Sequence, residues 1–190
     1  MKIKFLTDEK VVFENLLWEI GQKTEVKKKK LVSFLPPDKI LNGKKSESLK
    51  NYFNKIYSNK FQANAIELAK KRWKPFESQF AQALGMLKDL KQKKEYLVYL
   101  TLFGPGGAFE YPNKIFLRIK TKDDKEYLDV NLAHEMIHLI LHEKLVHFSY
   151  VKREKIVNAV LFQKEFAGIF NIKNSKIENS SEFKQARKFF

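Results

Sequence analysis

Apolar residues recur at helical spacing along most of residues 1–93 and give way to strand-like runs after Lys94. In the first segment Val12, Phe13, Leu16, Leu17 and Ile20 form one stripe. Thr7 is placed to cap it, Asp8 and Glu9 suit its first turn, and Gly21 suits its end. A charged connection, Lys23 to Lys30, and the Pro36-Pro37 turn precede a second helix after Ser46 or Ser48, with Leu49, Phe53, Ile56 and Tyr57 inward. A third runs from about Gln62 to Trp73. Pro75 then breaks the pattern before a helix whose core face is Phe76, Phe80, Leu84, Leu87 and Leu90.

Beyond Lys94, Tyr96 to Phe103 is rich in residues suited to strands and ends at Gly104-Pro105-Gly106-Gly107. Lys114 to Lys120 alternates, with Ile115, Leu117 and Ile119 on one side and Phe116 and Arg118 on the other. Thr121 to Lys125 reads as a polar turn and Glu126 to Leu128 as a short strand. Asp129 or Asn131 then caps a helix running to about Leu145, apolar nearly all round and so buried. A further helical stretch covers about Lys152 to Phe170. The expected fold is α+β: a helical N-terminal half over 1–93, then a domain over 94–170. In that domain a small, mostly antiparallel sheet packs on the two helices, and a polar tail over 171–190 follows.

The histidines change this picture. All four lie between His134 and His147, and two of them frame His134-Glu135-Met136-Ile137-His138 on the buried helix. Imidazoles at i and i+4 share a helix face and can share one ion, and Glu135 directly after the first can serve as general base. Unpaired, three such groups on a buried helix would cost several kcal/mol each. The chain has no cysteine, so nitrogen and oxygen must hold any metal. A third protein ligand leaves one position open for water. His142 lies about 12 Å along the axis from His134, too far to join both others. Glu154 is the stronger candidate, one turn from Asn158, whose amide can orient a ligand histidine. Glu143, Glu165 and His147 are weaker alternatives.

The His134-Glu-Met-Ile-His138 motif followed by a separate helix bearing Glu154 resembles the gluzincin clan of zinc metallopeptidases. His138-Leu-Ile-Leu-His142 and Glu154-Lys-Ile-Val-Asn158 are also similar to ImmA/IrrE-type peptidases and to the compact minigluzincins. The resemblance covers about Tyr96 to Phe170, with Asn158 where many gluzincins carry an acid. It implies one Zn²⁺ per chain on His134, His138 and Glu154, and Glu135 as the catalytic base in hydrolysis of a peptide or protein substrate. It also implies that Lys114 to Lys120 is the strand aligning that substrate. Tyr150, His147 and Tyr111 are candidate donors to the oxyanion. In minigluzincins a C-terminal segment holds the enzyme latent, and 172–190 is placed to do the same.

Charge enters last. The net charge is +15, carried by lysine apart from Arg72, Arg118, Arg153 and Arg187. Nucleic-acid binding is one reading of that excess. The lysine blocks lack the arginine and interleaved aromatics of a base reader, so a solvated surface explains them more simply. The alternatives to a peptidase are thus a zinc-binding regulator without catalysis and a basic nucleic-acid-binding module. Acids in the opening residues and charges within every apolar run predict no secretory leader and no membrane span, hence a cytoplasmic protein.

Overall fold

The computed structural model of the protein describes residues 1–21, 35–41, 46–88, 90, 92–172 and 180–190. The charged connection Lys23 to Lys30 lies outside them. Four strands, β1 (Lys2–Leu6), β2 (Glu95–Thr101), β3 (Gly107–Glu110) and β4 (Lys114–Arg118), form one sheet in the order β1-β2-β4-β3. The α+β class and the helical N-terminal half are as the sequence predicts, but the sheet is mixed. β1 pairs with β2 and β2 with β4 in parallel, and the β3–β4 hairpin is antiparallel. The physical reason is visible in β2, where Tyr96 and the run Val98 to Thr101 are buried. A near-continuous apolar run belongs to a central strand covered on both faces, the usual setting of parallel pairing. The parallel β1–β2 crossover is formed by the helices of the first half.

Those helices are α1 (Glu9–Gly21), α2 (Asp38–Leu41), α3 (Ser46–Ile56), α4 (Asn59–Trp73) and α5 (Glu77–Gly85). Asp8, rather than Thr7, caps α1, its carboxylate accepting from the Val11 N–H at 3.0 Å. Ser58 caps α4 in the same way, accepting from Phe61. After the sheet come α6 (Lys122–Glu126), α7 (Leu128–Leu145), α8 (Tyr150–Leu161), α9 (Lys164–Phe170) and α10 (Ser181–Ala186), with a 3-10 turn over Arg187–Phe189. Among the described residues no helix is long and apolar enough to cross a membrane.

Four local expectations need correction. The segment Thr121 to Lys125 is a capped helical turn, because Thr121 and Asp124 bond reciprocally in a capping box. Glu126 to Leu128 is not a strand: Glu126 ends α6 and Leu128 opens α7. Neither Asp129 nor Asn131 caps α7. Asp129 is buried and paired with Arg72 at 3.4 Å. The stretch Lys152 to Phe170 is two helices, broken where Gln163 turns extended and its side chain bonds the Ala159 and Phe183 carbonyls.

The alternation predicted for Lys114 to Lys120 sorts the core. Ile115, Leu117 and Ile119, with Val98 and Leu100, pack against α4, α5, α7 and α8. Phe116 and Tyr99 point the other way, onto Val12 and Leu16 of α1 and Leu49 and Phe53 of α3. Helices of the first half therefore cover one face of the sheet alone and share the other. α7 fills the middle of that second face, with its residues buried on almost every side.

Candidate metal centre

Helix α7 carries His134 and His138 one turn apart, and α8 folds back beside it after a connection over 146–149. Ser149 starts α8 by accepting from the Lys152 N–H. His138 lies about 10 Å before the end of α7 and Glu154 about 6 Å into α8, so the short connection suffices to bring them level. The structure brings together the three residues that the sequence proposes as ligands. His134 Nε2 lies 3.1 Å from His138 Nε2 and 3.2 Å from Glu154 Oε2, and His138 Nε2 lies 3.1 Å from Glu154 Oε1.

That triangle suits a cation better than it suits hydrogen bonds alone. Two ring nitrogens and two carboxylate oxygens converge, and the facing imidazoles can share only one proton between them. Donors arranged tetrahedrally at about 2.0–2.1 Å from a common ion stand about 3.3 Å apart, close to the spacing seen. Two imidazoles and one carboxylate form a donor set that suits a first-row divalent metal. Among the described residues this is the group of histidine and acidic side chains close enough to hold an ion.

The electrostatics follow from burial and proximity. Burial pulls His134 down, but its hydrogen bond to Glu154, the charges of Glu135 and Glu154 and a bond to Asn158 outweigh it and raise its pKa. For His138 burial prevails and the pKa is lowered. Burial would raise Glu154, yet hydrogen bonds to both imidazoles hold it well below the usual carboxylate range. Asn158 lies beside His134 and helps to raise its pKa.

Glu135 stands beside the triangle with a different environment. Its carboxyl is buried, and burial together with the charge of Glu154 pushes its pKa up to about 7 against the pull of His134. Among the described residues no hydrogen bond reaches its oxygens. It lines a depression with Asn131, His134, Asn158 and Ile172. Its neighbour across the gap is Gly107 at the start of β3, where a Cβ would meet Glu135 Oε1 at 2.5 Å. Tyr150 stands beside Glu154: burial, the carboxylates Glu154 and Glu135 and a hydrogen bond to Glu154 push its pKa up to about 12.

The other candidates fall elsewhere. His142 stacks on Tyr111 at 4.5 Å between ring centroids, and the Tyr111 hydroxyl donates to Glu143 at 2.6 Å. His147 is exposed against Phe148, and Glu165 pairs with Arg187 at 2.7 Å. The strand expected to align substrate, Lys114 to Lys120, is paired on both sides and has no edge to offer. The strand beside the centre is β3, whose Phe109 stacks on the His138 ring at 5.0 Å and 19°. Sequence reasoning missed β3 because Gly104 to Gly107 reads as a turn. The signal was present in Ala108-Phe109-Glu110, then Tyr-Pro-Asn, then an alternating strand, which is the spacing of a hairpin. Comparison with models of protein families, with curated proteins and with solved structures finds no match to this chain.

Proposed function

We propose that the protein is a zinc-dependent peptidase in which His134, His138 and Glu154 hold the metal and Glu135 is the general base. The observation that carries this reading is the juxtaposition of a compact three-donor triangle with a buried carboxyl and an edge strand. A zinc ion held there supplies an easily deprotonated water and a positive charge for the scissile carbonyl.

The chain's own residues do the rest. Glu135 takes the proton of the attacking water and delivers it to the leaving amine nitrogen as the C–N bond breaks. Tyr150, already at the triangle through its bond to Glu154, turns its hydroxyl to the carbonyl oxygen as negative charge develops there. The outer edge of β3, unpaired among the described residues, holds the substrate extended by strand addition, with the face bearing Gly107 and Phe109 toward the triangle. Phe109 shields His138 from solvent and fixes its ring plane.

Zinc-loaded protein and casein provide the test. Wild type takes up about one zinc per chain and cleaves casein. Glu135→Gln keeps the metal and loses about 10²–10⁴-fold in turnover. His134→Ala and His138→Ala lose the metal. Wild-type turnover by purified Glu135→Gln protein, or no metal uptake by the wild type, overturns the proposal.

A further inference from the structure

The sheet face opposite the metal triangle carries a groove that the peptidase reading leaves unassigned. It lies between α1 and the β3 edge and encloses about 490 Å³. Val11, Trp18, Ala108 and Phe116 form its apolar walls, with Glu14 and Glu110 alongside. α1 sends Val12 and Leu16 into the core but leaves Trp18 62% exposed at this groove. Glu110 is bonded to Lys114 at 2.8 Å, while Glu14 is exposed and is felt by Lys114 only through its charge. Counting Glu14, Glu110 and Lys114, the groove carries one net negative charge on a chain of net charge +15.

The position of the groove relative to the centre follows from strand alternation. On β3, Phe109 points to α7 and stacks on His138, whereas Ala108 packs with the core on the α1 side. A peptide added to the outer edge of β3 alternates in the same way. When one of its residues faces the triangle, the residue next to it faces the α1 groove. The chemistry there suits a long side chain with an apolar stem and a cationic head: the stem lies against Val11 and Phe116, and the head meets the Trp18 ring and the Glu14 carboxylate.

We propose that the groove between α1 and β3 is a specificity subsite for a lysine or arginine side chain, adjacent in the substrate to the residue at the metal triangle. This rests on the peptidase reading and gives α1 of the helical half a part in substrate choice. Glu14 and Trp18 are exposed side chains, so substituting them leaves the core intact.

The test uses the zinc-loaded full chain and a degenerate peptide mixture, with cut sites read by mass spectrometry. Matched peptides then carry lysine or norleucine at the selected position. Wild type is expected to enrich lysine and arginine at one position beside the cut bond. The lysine-to-norleucine ratio of kcat/KM is expected to fall about tenfold in both Glu14→Lys and Trp18→Ala. Cleavage without a basic preference, or a preference that survives both substitutions, overturns the subsite and leaves the peptidase reading standing. Absence of any cleavage overturns both.

Discussion

At the residue scale the most demanding contact is between Gly107 and Glu135. A Cβ at position 107 would lie 2.5 Å from Glu135 Oε1 and 2.9 Å from its Cγ. The glycine is there for space, so that an edge strand can pass directly over Glu135. Gly107→Ala is therefore expected to displace the carboxyl by a fraction of an ångström to an ångström. If Glu135 is the base, as proposed, misplacement on that scale costs about 10²-fold in rate, and zinc uptake by His134, His138 and Glu154 is expected to be unchanged. Turnover measured beside zinc content checks this; an alanine variant with full activity shows that Glu135 is not the base. Asn158 makes the complementary case. Asn158→Ala removes the amide that favours the charged form of His134 and is expected to weaken zinc affinity by about 10–100-fold, read by chelator competition.

At the element scale, legibility depended on whether a residue's role was set by its neighbours in sequence. The helix through His134 was readable because its apolar positions run all round, and β4 because its alternation is strict. Glu154 was readable because it lies one turn from Asn158 on the inward face of the helix that follows the motif. β1 was not: five residues, Lys2–Leu6, find their place only against Glu95 to Tyr99, far along the chain. Parallel pairing and the edge position of β3 are likewise products of long-range register, whereas the ion pair that holds β4, α6 and the loop before β3 together spans only six residues. Arg118 donates to both Asp124 oxygens at 2.9 and 2.8 Å and to the Gly104 carbonyl at 2.8 Å, at a residue with φ +81°.

Both members of that pair are buried, so removing one charge is expected to cost about 3–5 kcal/mol. Burial would raise Asp124, but its bonds to Arg118 and Thr121 lower its pKa below the usual aspartate value. A depressed carboxyl contributes stability that is present above its unfolded pKa of about 3.9 and is lost as pH falls through the folded value. Thermal unfolding of Asp124→Asn should therefore start from a lower Tm at neutral pH. Its further decline below about pH 4 should be shallower than that of wild type. Parallel acid profiles for the two proteins would show that Asp124 does not carry this dependence.

At the scale of the whole molecule, a texture change near Lys94 does not separate two independent parts. β1 of the first half is a strand of the same sheet, α4 packs on α7, and Arg72 reaches Asp129 and the Glu126 carbonyl. The tail bears on the same point. Ile172 lines the depression beside His134 and Glu135, but residues 180–190 dock away from it, on α8 and α9. Ala186 is fully buried, Phe190 packs edge-on to Phe166 at 5.9 Å, and Arg187 pairs with Glu165. The side of α8 that receives the tail is not the side that presents Glu154. A segment seated there braces the helix that carries Glu154. Deleting 180–190 exposes that face and removes half-buried aromatics, a loss of about 2 kcal/mol and a fall in Tm of about 5 °C. Zinc affinity should fall with it, because Glu154 rides on the helix so loosened. A latent enzyme released by its tail would behave oppositely, gaining activity on casein at unchanged metal content. Differential scanning fluorimetry with and without chelator, beside a casein assay of the shortened chain, separates a brace from a plug.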